Sequence, residues 1–292
     1  MIISASRRTD IPAFYADWLI NRIREGTVWV RNPFNPRQAR EITISPATVD
    51  GMVFWSKNPE PMLGKLDSFK DYAYYFQFTL NAYLSDAEAH LPPLSKRRDI
   101  FMRLSDKIGP ERIIWRYDPV LLNDTYTVAY HIDQFGETAE KLRGYTRKTV
   151  FSFIDFYKKI ETAVKRLGVK AAADDDKNVI AAHFASIARS CDLLIDTCAE
   201  DIDLSKYGIS HGRCIDGGLL SAIGGTPVNS AKDKNQRPEC GCTASVDIGM
   251  YDSCPHGCAY CYANSRPGTV QKNIALHDPL SPLLVGALPD SQ

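Results

Sequence analysis

The first 190 residues of this chain contain no cysteine, and the chain as a whole has no excess charge of either sign. Thirty-five basic residues balance thirty-five acidic ones, so no overall field would attract nucleic acid or an anionic membrane. No apolar run approaches the roughly 20 residues needed to span a bilayer. The sequence also lacks a phosphate loop, a dinucleotide fingerprint and the spacing of a Ser-His-Asp triad. Membranes and nucleic acid are therefore not indicated as partners.

The first ten residues include two arginines but no apolar run after them, so no secretory signal is recognisable. We therefore expect a cytoplasmic location, where thiols stay reduced and clustered cysteines bind metals more often than they form disulfides. The composition, 44% hydrophobic and 24% charged, is typical of a globular chain with a sizeable core.

Short β-rich apolar runs alternate with helical periodicity through the first 200 residues. The predicted strands are 2–6, 50–55, 74–80, 112–117, 149–154 and 192–196. The predicted helices are 12–25, 59–69, 94–107, 126–142, 156–167 and 178–190. Residues 27–44 interrupt this alternation and predict a hairpin insertion.

Six β-then-α units in succession predict a parallel sheet with right-handed crossovers. Six units are too few for a closed eight-unit barrel, so the candidates are a partial barrel and an open doubly wound sheet. We predict an α/β fold with a partial (β/α)6 barrel over residues 1–198. A cysteine-rich, iron-sulfur-binding extension follows over residues 199–292. This extension has little periodicity, so we expect metal binding or packing on the barrel mouth to order it.

Polar residues follow the predicted strands, at the edge where parallel α/β folds bind ligands. Gln77 and Arg116 are costly to bury without partners, which favours a ligand site over ordinary polar turns. The alternative for Arg116 and Asp118 is an internal salt bridge, and for Lys57 and Asn58 it is a helix cap. The candidate residues for cofactor binding are Ser6, Arg7, Lys57, Gln77, Thr79, Arg116, Asp118, Ser152 and Tyr260.

The residues just after the first predicted strand allow two interpretations. Asp10 precedes Pro12, and helix capping explains this aspartate well. The neighbouring Arg7 and Arg8 suit an anionic substrate.

Five of the eight cysteines fall between residues 240 and 261. Cys254, Cys258 and Cys261 form a C-x3-C-x2-C triplet. Three thiolates at this spacing can bind three irons of a cubane, and the lack of a fourth leaves one iron open. Zinc is the alternative, although structural zinc sites prefer paired C-x2-C knuckles.

The triplet resembles the cluster motif of the radical S-adenosylmethionine (SAM) superfamily, C-x3-C-x-aromatic-C, with Tyr260 at the aromatic position. Residues 261–263, Cys-Tyr-Ala, are similar to the motif of spore photoproduct lyase and its relatives. The resemblance implies that Cys254, Cys258 and Cys261 bind a [4Fe-4S] cluster whose open iron chelates SAM. It further implies reductive cleavage of SAM to a 5′-deoxyadenosyl radical, which abstracts hydrogen from a substrate. A partial α/β barrel and a flavodoxin- or ferredoxin-type reductant accompany this chemistry.

The whole chain also resembles a bacterial and archaeal family of unknown function, described as carrying a radical-SAM-like cysteine cluster at its C-terminus. Residues 4–10, 54–59 and 116–119 carry this second resemblance. Two features differ from the radical SAM pattern. The triplet follows the sixth predicted strand rather than the first, and no Gly-Gly-Glu is found to hold the SAM amino group. We expect the C-terminal segment to fold back over the barrel mouth.

Four further cysteines offer a second metal site. Cys240 and Cys242 form a C-x-C pair, and with Cys198 and Cys214 they predict a second [4Fe-4S] cluster. The alternatives are structural zinc on the same four residues and unligated thiols. Cys191 follows a predicted helix and is expected to pack in the core.

The histidines are interpreted by position. His131 and His183 lie in predicted helices, so we expect structural roles. His256 lies inside the triplet loop, where it would either hydrogen-bond a cluster sulfur or be exposed to solvent.

The sequence therefore predicts a radical SAM type enzyme with one catalytic and one auxiliary cluster, acting on an unspecified substrate. The first alternative is an iron-sulfur protein for electron transfer or sensing that never cleaves SAM. The second is a zinc protein that binds nucleic acid through stacking aromatics such as Tyr260 and Tyr262.

Overall fold

In the computed structural model, which describes residues 1–288, the chain forms ten strands and eight α-helices. The strands are β1 (Ile2–Ala5), β2 (Thr27–Asn32), β3 (Asn35–Thr43), β4 (Gly51–Ser56), β5 (Tyr74–Thr79), β6 (Ile113–Val120), β7 (Lys148–Phe153), β8 (Leu194–Thr197), β9 (Ser210–His211) and β10 (Ser245–Asp247). The helices are α1 (Ile11–Phe14), α2 (Ala16–Glu25), α3 (Leu94–Ile108), α4 (Val128–Lys141), α5 (Glu161–Arg166), α6 (Asp174–Ser190), α7 (Gly217–Gly224) and α8 (Pro267–Ala275).

Eight strands form one sheet in the order β10-β1-β4-β5-β6-β7-β8-β9, and every neighbouring pair is parallel. Within this sheet, the strands β4 to β9 are added one after another on the same side of β1, and β10 pairs with the other edge of β1. The order does not reverse before β10, which argues against the doubly wound alternative. The parallel α/β prediction is confirmed, and within residues 1–288 the sheet is open rather than closed. The predicted hairpin is also confirmed as antiparallel β2–β3.

One face of the sheet packs against helices. Right-handed crossovers between strands added in one direction put the connecting helices on the same face. Apolar side chains alternate along each strand toward this face and meet those of α2, α3, α4 and α6. The aromatic ring of Phe135 on α4 stacks on that of Phe184 on α6, with centroids 3.8 Å apart. The largest buried members of this layer include Trp18, Phe54, Phe76, Phe78, Phe101 and Trp115.

The opposite, inner face is covered by the C-terminal segment. Leu220 of α7 and Ile215 pack on this face with Tyr75 and Val53. Gly51 permits the close approach, because a Cβ at this position would lie 2.6 Å from Cδ2 of Leu220. The segment also supplies both edge strands, β9 and β10, which the sequence analysis missed. The C-terminal segment therefore packs on the inner face of the sheet, whereas its ordering by metal stays a prediction.

Several predicted helices differ from the structure. Residues 59–69 form two 3₁₀ turns (Glu60–Met62 and Leu66–Phe69) rather than an α-helix, since two prolines and a glycine interrupt the segment. Residues 12–25 are divided at Tyr15 into α1 and α2. Residues 156–167 contain a 3₁₀ turn followed by the short α5. Among residues 1–288, no helix has both the length and the apolar character that a membrane crossing requires.

His131 is completely buried on α4, as expected for a structural residue, whereas His183 on α6 is exposed. The Nδ1 of His131 lies 2.8 Å from the Tyr117 hydroxyl, and its Nε2 lies 2.8 Å from the Leu121 carbonyl. Burial lowers the pKa of His131 to about 4.

This burial predicts a pH dependence of stability. The folded chain keeps His131 neutral while the unfolded chain protonates it near pH 6.5, so stability is lost as pH falls from about 6.5 to 4. The contribution is on the order of 3 kcal/mol. His131→Gln should lose this part of the dependence when urea unfolding is measured at several pH values. His183→Gln is the control and should retain this pH dependence. If the unfolding free energy changed equally with pH in both variants, His131 would not be its source.

Candidate functional site

The cysteine triplet lies in the loop between β10 and α8, and this loop packs against the segment that follows β5. The backbone amide of Ala259 donates to the carbonyl of Ala87 at 2.9 Å. Glu88 forms an isolated antiparallel bridge with Cys258. The loop therefore lies near the carboxyl ends of the strands, the edge at which parallel sheets bind ligands.

Gly257 gives the triplet loop its shape. Its φ of +69° lies in the left-handed region, and a Cβ there would lie 3.1 Å from Nδ1 of His90. That nitrogen also lies 2.8 Å from the carbonyl oxygen of Pro255. A side chain at position 257 would be strained and would crowd this contact.

Hydrogen bonds close the triplet loop: the amide of Cys261 donates to the carbonyl of Cys258 at 3.2 Å, and Nδ2 of Asn264 donates to the carbonyl of Cys254 at 2.7 Å. Burial, followed by the charge of Asp10, raises the pKa of Cys254 to about 12. Burial also raises the pKa of Cys258 well above its ordinary value, although the Lys57 ammonium opposes the shift. A metal group bound here must displace protons from these thiols, which makes its binding depend on pH.

A buried charged network lies beside Cys258. Glu88, only 3% exposed, accepts a hydrogen bond from Nζ of Lys57 at 2.8 Å and lies 3.1 Å from Nη1 of Arg97. The Tyr260 hydroxyl donates to Glu88 and accepts from Nζ of Lys57 at 2.9 Å. Two cations and one carboxylate give this network a net positive charge beside Cys258, whereas the Asp10 carboxylate adds negative charge beside Cys254. The positive charge would stabilise an anionic group bound to the thiols.

Asp10 connects the triplet loop to the carboxyl ends of β1 and β4. Its Oδ2 accepts from the backbone amide of Lys57 at 2.8 Å and lies 2.7 Å from Nε2 of His256. Its Oδ1 accepts from Ala13, so the predicted helix cap is present. His256 is buried rather than exposed to solvent, at 3% exposure. Its Nδ1 is buried and has no hydrogen-bond partner among the described residues.

The four remaining predicted ligands lie together on the inner face. The Cys214 thiol donates to Sγ of Cys198 at 3.1 Å. The Cys242 thiol accepts from the backbone amide of Ile215 at 3.4 Å, next to Cys214. Its interaction with the neighbouring Cys240 lowers the pKa of Cys240 to about 7. Residues distant in sequence therefore form a chain of neighbouring thiols.

Arg116 joins this second group to the sheet. It is 3% exposed and forms an ion pair with Asp118, the internal salt bridge that was one of its two predicted roles. Its Nη1 donates to Sγ of Cys214 at 2.8 Å and to Oε1 of Gln77 at 3.3 Å. Its guanidinium also lies over the ring of Trp55, 5.2 Å from the centroid. The partners that its burial requires are therefore provided by the protein.

Two further predicted site residues, Ser152 and Ser6, have partners along the same edge. Ser152 donates its hydroxyl hydrogen to Asp118. Ser6 donates to Oδ1 of Asp247 at 2.6 Å. Thr79 is half-buried at the end of β5.

The acidic residues that the sequence analysis missed include the buried Glu88 and Glu200 and the partly buried Asp247, whose side chain is 7% exposed. Glu200 is 9% exposed and accepts from the backbone amide of Phe153 at 2.8 Å. Burial raises its pKa to about 7. A usable signal at Glu88 is its position between two alanines in a segment without helical or strand periodicity.

Among residues 1–288, no three side chains of histidine, cysteine, aspartate or glutamate are arranged to hold one metal ion. A cubane sets a different requirement, because each thiolate binds its own iron instead of converging on a single centre.

The fold and these residues define an α/β protein with a parallel sheet, one group of cysteines near the carboxyl ends of its strands and a second group on its inner face. The chain belongs to the family described as "Domain of unknown function (DUF1848)", which matches residues 2–263. Neither the curated proteins nor the solved structures gave a match.

Proposed function

We propose that this chain is a radical SAM type enzyme with a [4Fe-4S] cluster on Cys254, Cys258 and Cys261. The main support is that the triplet, although late in the chain, packs against the segments that follow β1 and β5. Such a cluster, when bound, supplies the electron that cleaves SAM reductively. The substrate stays unspecified.

The residues present fit this cofactor. Three soft thiolate donors stand in one loop with no fourth cysteine, which leaves one iron open for a ligand. The buried Nδ1 of His256 has no protein partner in the described part of the chain, so a cluster sulfur could complete its hydrogen bonding. The positive charge of Lys57 and Arg97, only half offset by Glu88, favours an anionic group on the Cys258 side of the triplet.

The proposed scaffold is a partial barrel. Single winding with the helices on one face, as in this sheet, is the arrangement of a barrel wall. The gap between the edge strands β9 and β10 would be the opening of that barrel. The C-terminal segment covers the inner face, where it would exclude water from the reaction.

We assign different parts of the site to the predicted binding residues. Lys57 and Tyr260 lie beside the triplet and would orient the group bound there. Gln77, Arg116 and Asp118 lie beside the second cysteine group. These three residues would position the second cysteine group rather than contact SAM directly. Ser152 donates to Asp118 and would fix this carboxylate.

The second cysteine group is proposed to hold an auxiliary [4Fe-4S] cluster. Cys198, Cys214, Cys240 and Cys242 supply four thiolates, the number that a closed cubane requires. The hydrogen bond from Arg116 to Cys214 would stabilise the thiolate form. Structural zinc on the same four residues is the alternative. A flavodoxin- or ferredoxin-type reductant and a cytoplasmic location belong to the same proposal.

The test is anaerobic purification with iron and sulfide analysis, followed by dithionite reduction and EPR with and without SAM. We expect about eight irons per chain, corresponding to two cubanes, and a reduced signal that changes when SAM is added. Formation of 5′-deoxyadenosine should accompany reduction. Clusters whose EPR signal does not change when SAM is added would favour electron transfer or sensing. Zinc without sulfide would favour the zinc-binding alternative.

A further inference from the structure

Arg7 is held in a fixed position between the two cysteine groups. Its backbone amide donates to Oδ2 of Asp247 at 2.8 Å, and its carbonyl accepts from the Tyr262 hydroxyl at 2.8 Å. The charge of its guanidinium acts on Asp247, Tyr262, Cys242 and Cys214. The first two of these residues thus hold the Arg7 backbone, and the last two belong to the second cysteine group.

Asp247 is the charged group that acts most strongly on this guanidinium, but its oxygens already accept other hydrogen bonds. Oδ2 accepts from the Ser4 hydroxyl at 2.9 Å as well as from the amide of Arg7. Oδ1 accepts from the Ser6 hydroxyl at 2.6 Å and from the amide of Gly249 at 3.0 Å. Four hydrogen bonds satisfy a carboxylate, so Asp247 orients the backbone here instead of pairing with the Arg7 side chain.

The Arg7 side chain is consequently without an acceptor in the protein. Among residues 1–288 its guanidinium forms no hydrogen bond or salt bridge, although the residue is only partly exposed. Arg116, on the same inner side of the sheet, bonds Asp118, Gln77 and Cys214. None of the guanidinium nitrogens of Arg7 is buried without a partner, so solvent reaches these donors and a ligand that supplies acceptors can bind them.

From this geometry we infer that Arg7 binds an oxyanion, a carboxylate or a phosphate, of a molecule held between the two cysteine groups. The planar fork of a guanidinium matches the two oxygens of such a group. Lys159, whose ammonium lies 5.4 Å from the ring centroid of Tyr251, adds positive charge to the same region. The inference rests on the proposed function for the identity of the molecule. The oxyanion belongs either to SAM or to a substrate that bears a carboxylate or phosphate.

The experiment measures binding of orthophosphate and of acetate to the anaerobic, cluster-loaded chain by titration calorimetry. The wild type should bind at least one of them saturably, and Arg7→Gln should weaken that binding about 10- to 100-fold, as expected for loss of charged hydrogen bonds. The anion affinity of Arg7→Lys should lie between those of the wild type and Arg7→Gln, because lysine keeps the positive charge but lacks the planar guanidinium. Arg237→Gln is the matched control, because Arg237 is a half-exposed arginine that already pairs with Asp155 at 3.0 Å.

A second arm repeats the titration after saturation with SAM. Anion binding that persists assigns Arg7 to the substrate, whereas its disappearance assigns Arg7 to the SAM carboxylate. The inference is overturned if no saturable binding occurs, or if wild type and Arg7→Gln bind equally. An altered EPR spectrum of Arg7→Gln with unchanged anion binding would also overturn it, since Arg7 would then only offset cluster charge. Iron and sulfide counts on each sample test the proposed function separately. Anion binding by a chain that holds no iron would contradict the proposed function and still support the oxyanion site.

Discussion

Replacing Cys258 with alanine is expected to remove the SAM-responsive cluster. Each triplet thiolate would bind its own iron, so a loop with two thiolates cannot hold a cubane with one open iron. We expect the iron content to fall by about four per chain, the SAM-dependent EPR change to vanish and formation of 5′-deoxyadenosine to stop. The measurements are iron and sulfide analysis, EPR and chromatography of the reduced mixture.

Two other cysteines make this experiment specific. Cys191→Ala is the control, because Cys191 is 1% exposed and packs in the helix-covered core rather than in either cysteine group. It should keep all of the iron. Cys214→Ala should lose the auxiliary cluster and keep the SAM-dependent signal. If Cys258→Ala retained that signal, the triplet would not be the SAM-binding cluster.

Glu88→Gln is expected to destabilise the fold by about 3–5 kcal/mol, the range found when one member of a buried ion pair is removed. The substitution leaves Lys57 and Arg97 next to each other, with side chains 17% and 2% exposed and no carboxylate between them. Since Tyr260 also loses its anionic acceptor, the triplet loop should loosen. Urea unfolding followed by circular dichroism would measure the loss.

The control is a surface carboxylate with the same kind of partners. Glu60 lies 2.8 Å from Nζ of Lys96 and 3.5 Å from Nη1 of Arg103, but it is one-third exposed. Glu60→Gln should therefore change stability by less than about 1 kcal/mol. A double variant, Glu88→Gln with Lys57→Met, should recover part of the loss because it removes one uncompensated cation. Equal effects of Glu88→Gln and Glu60→Gln would refute the structural importance of the network.

Much of the sheet could be predicted because its strands are buried on both faces and read as apolar runs. All six predicted strands are present, with ends shifted by a few residues, and the hairpin was predicted within residues 27–44. The strands β9 and β10 could not be predicted, since two or three residues are too few to establish an alternating pattern. They are strands only because a neighbouring strand supplies the hydrogen bonds.

Residue type and spacing single out the cysteine triplet in the sequence, and its role as a cluster site stays a prediction. The network around Lys57 was not predictable in the same way. Helix capping was the alternative for Lys57, but the segment after it forms no α-helix, and its ammonium instead meets Glu88 from a different loop. Contacts of this kind depend on how irregular segments approach one another in space, which periodicity does not encode.

The pairing of β10 with β1 sets the order in which the molecule can be completed. Ser4 on β1 bonds Asp247 on β10 across 243 positions of sequence. During synthesis, the first strand leaves the ribosome long before its partner exists, and its free edge would be open to wrong pairing in the meantime. The triplet follows β10 and is made later still. Loading of the proposed cluster would therefore come after translation of almost the entire domain. Cells that overproduce the chain faster than iron and sulfide are delivered would then accumulate the protein without its cluster.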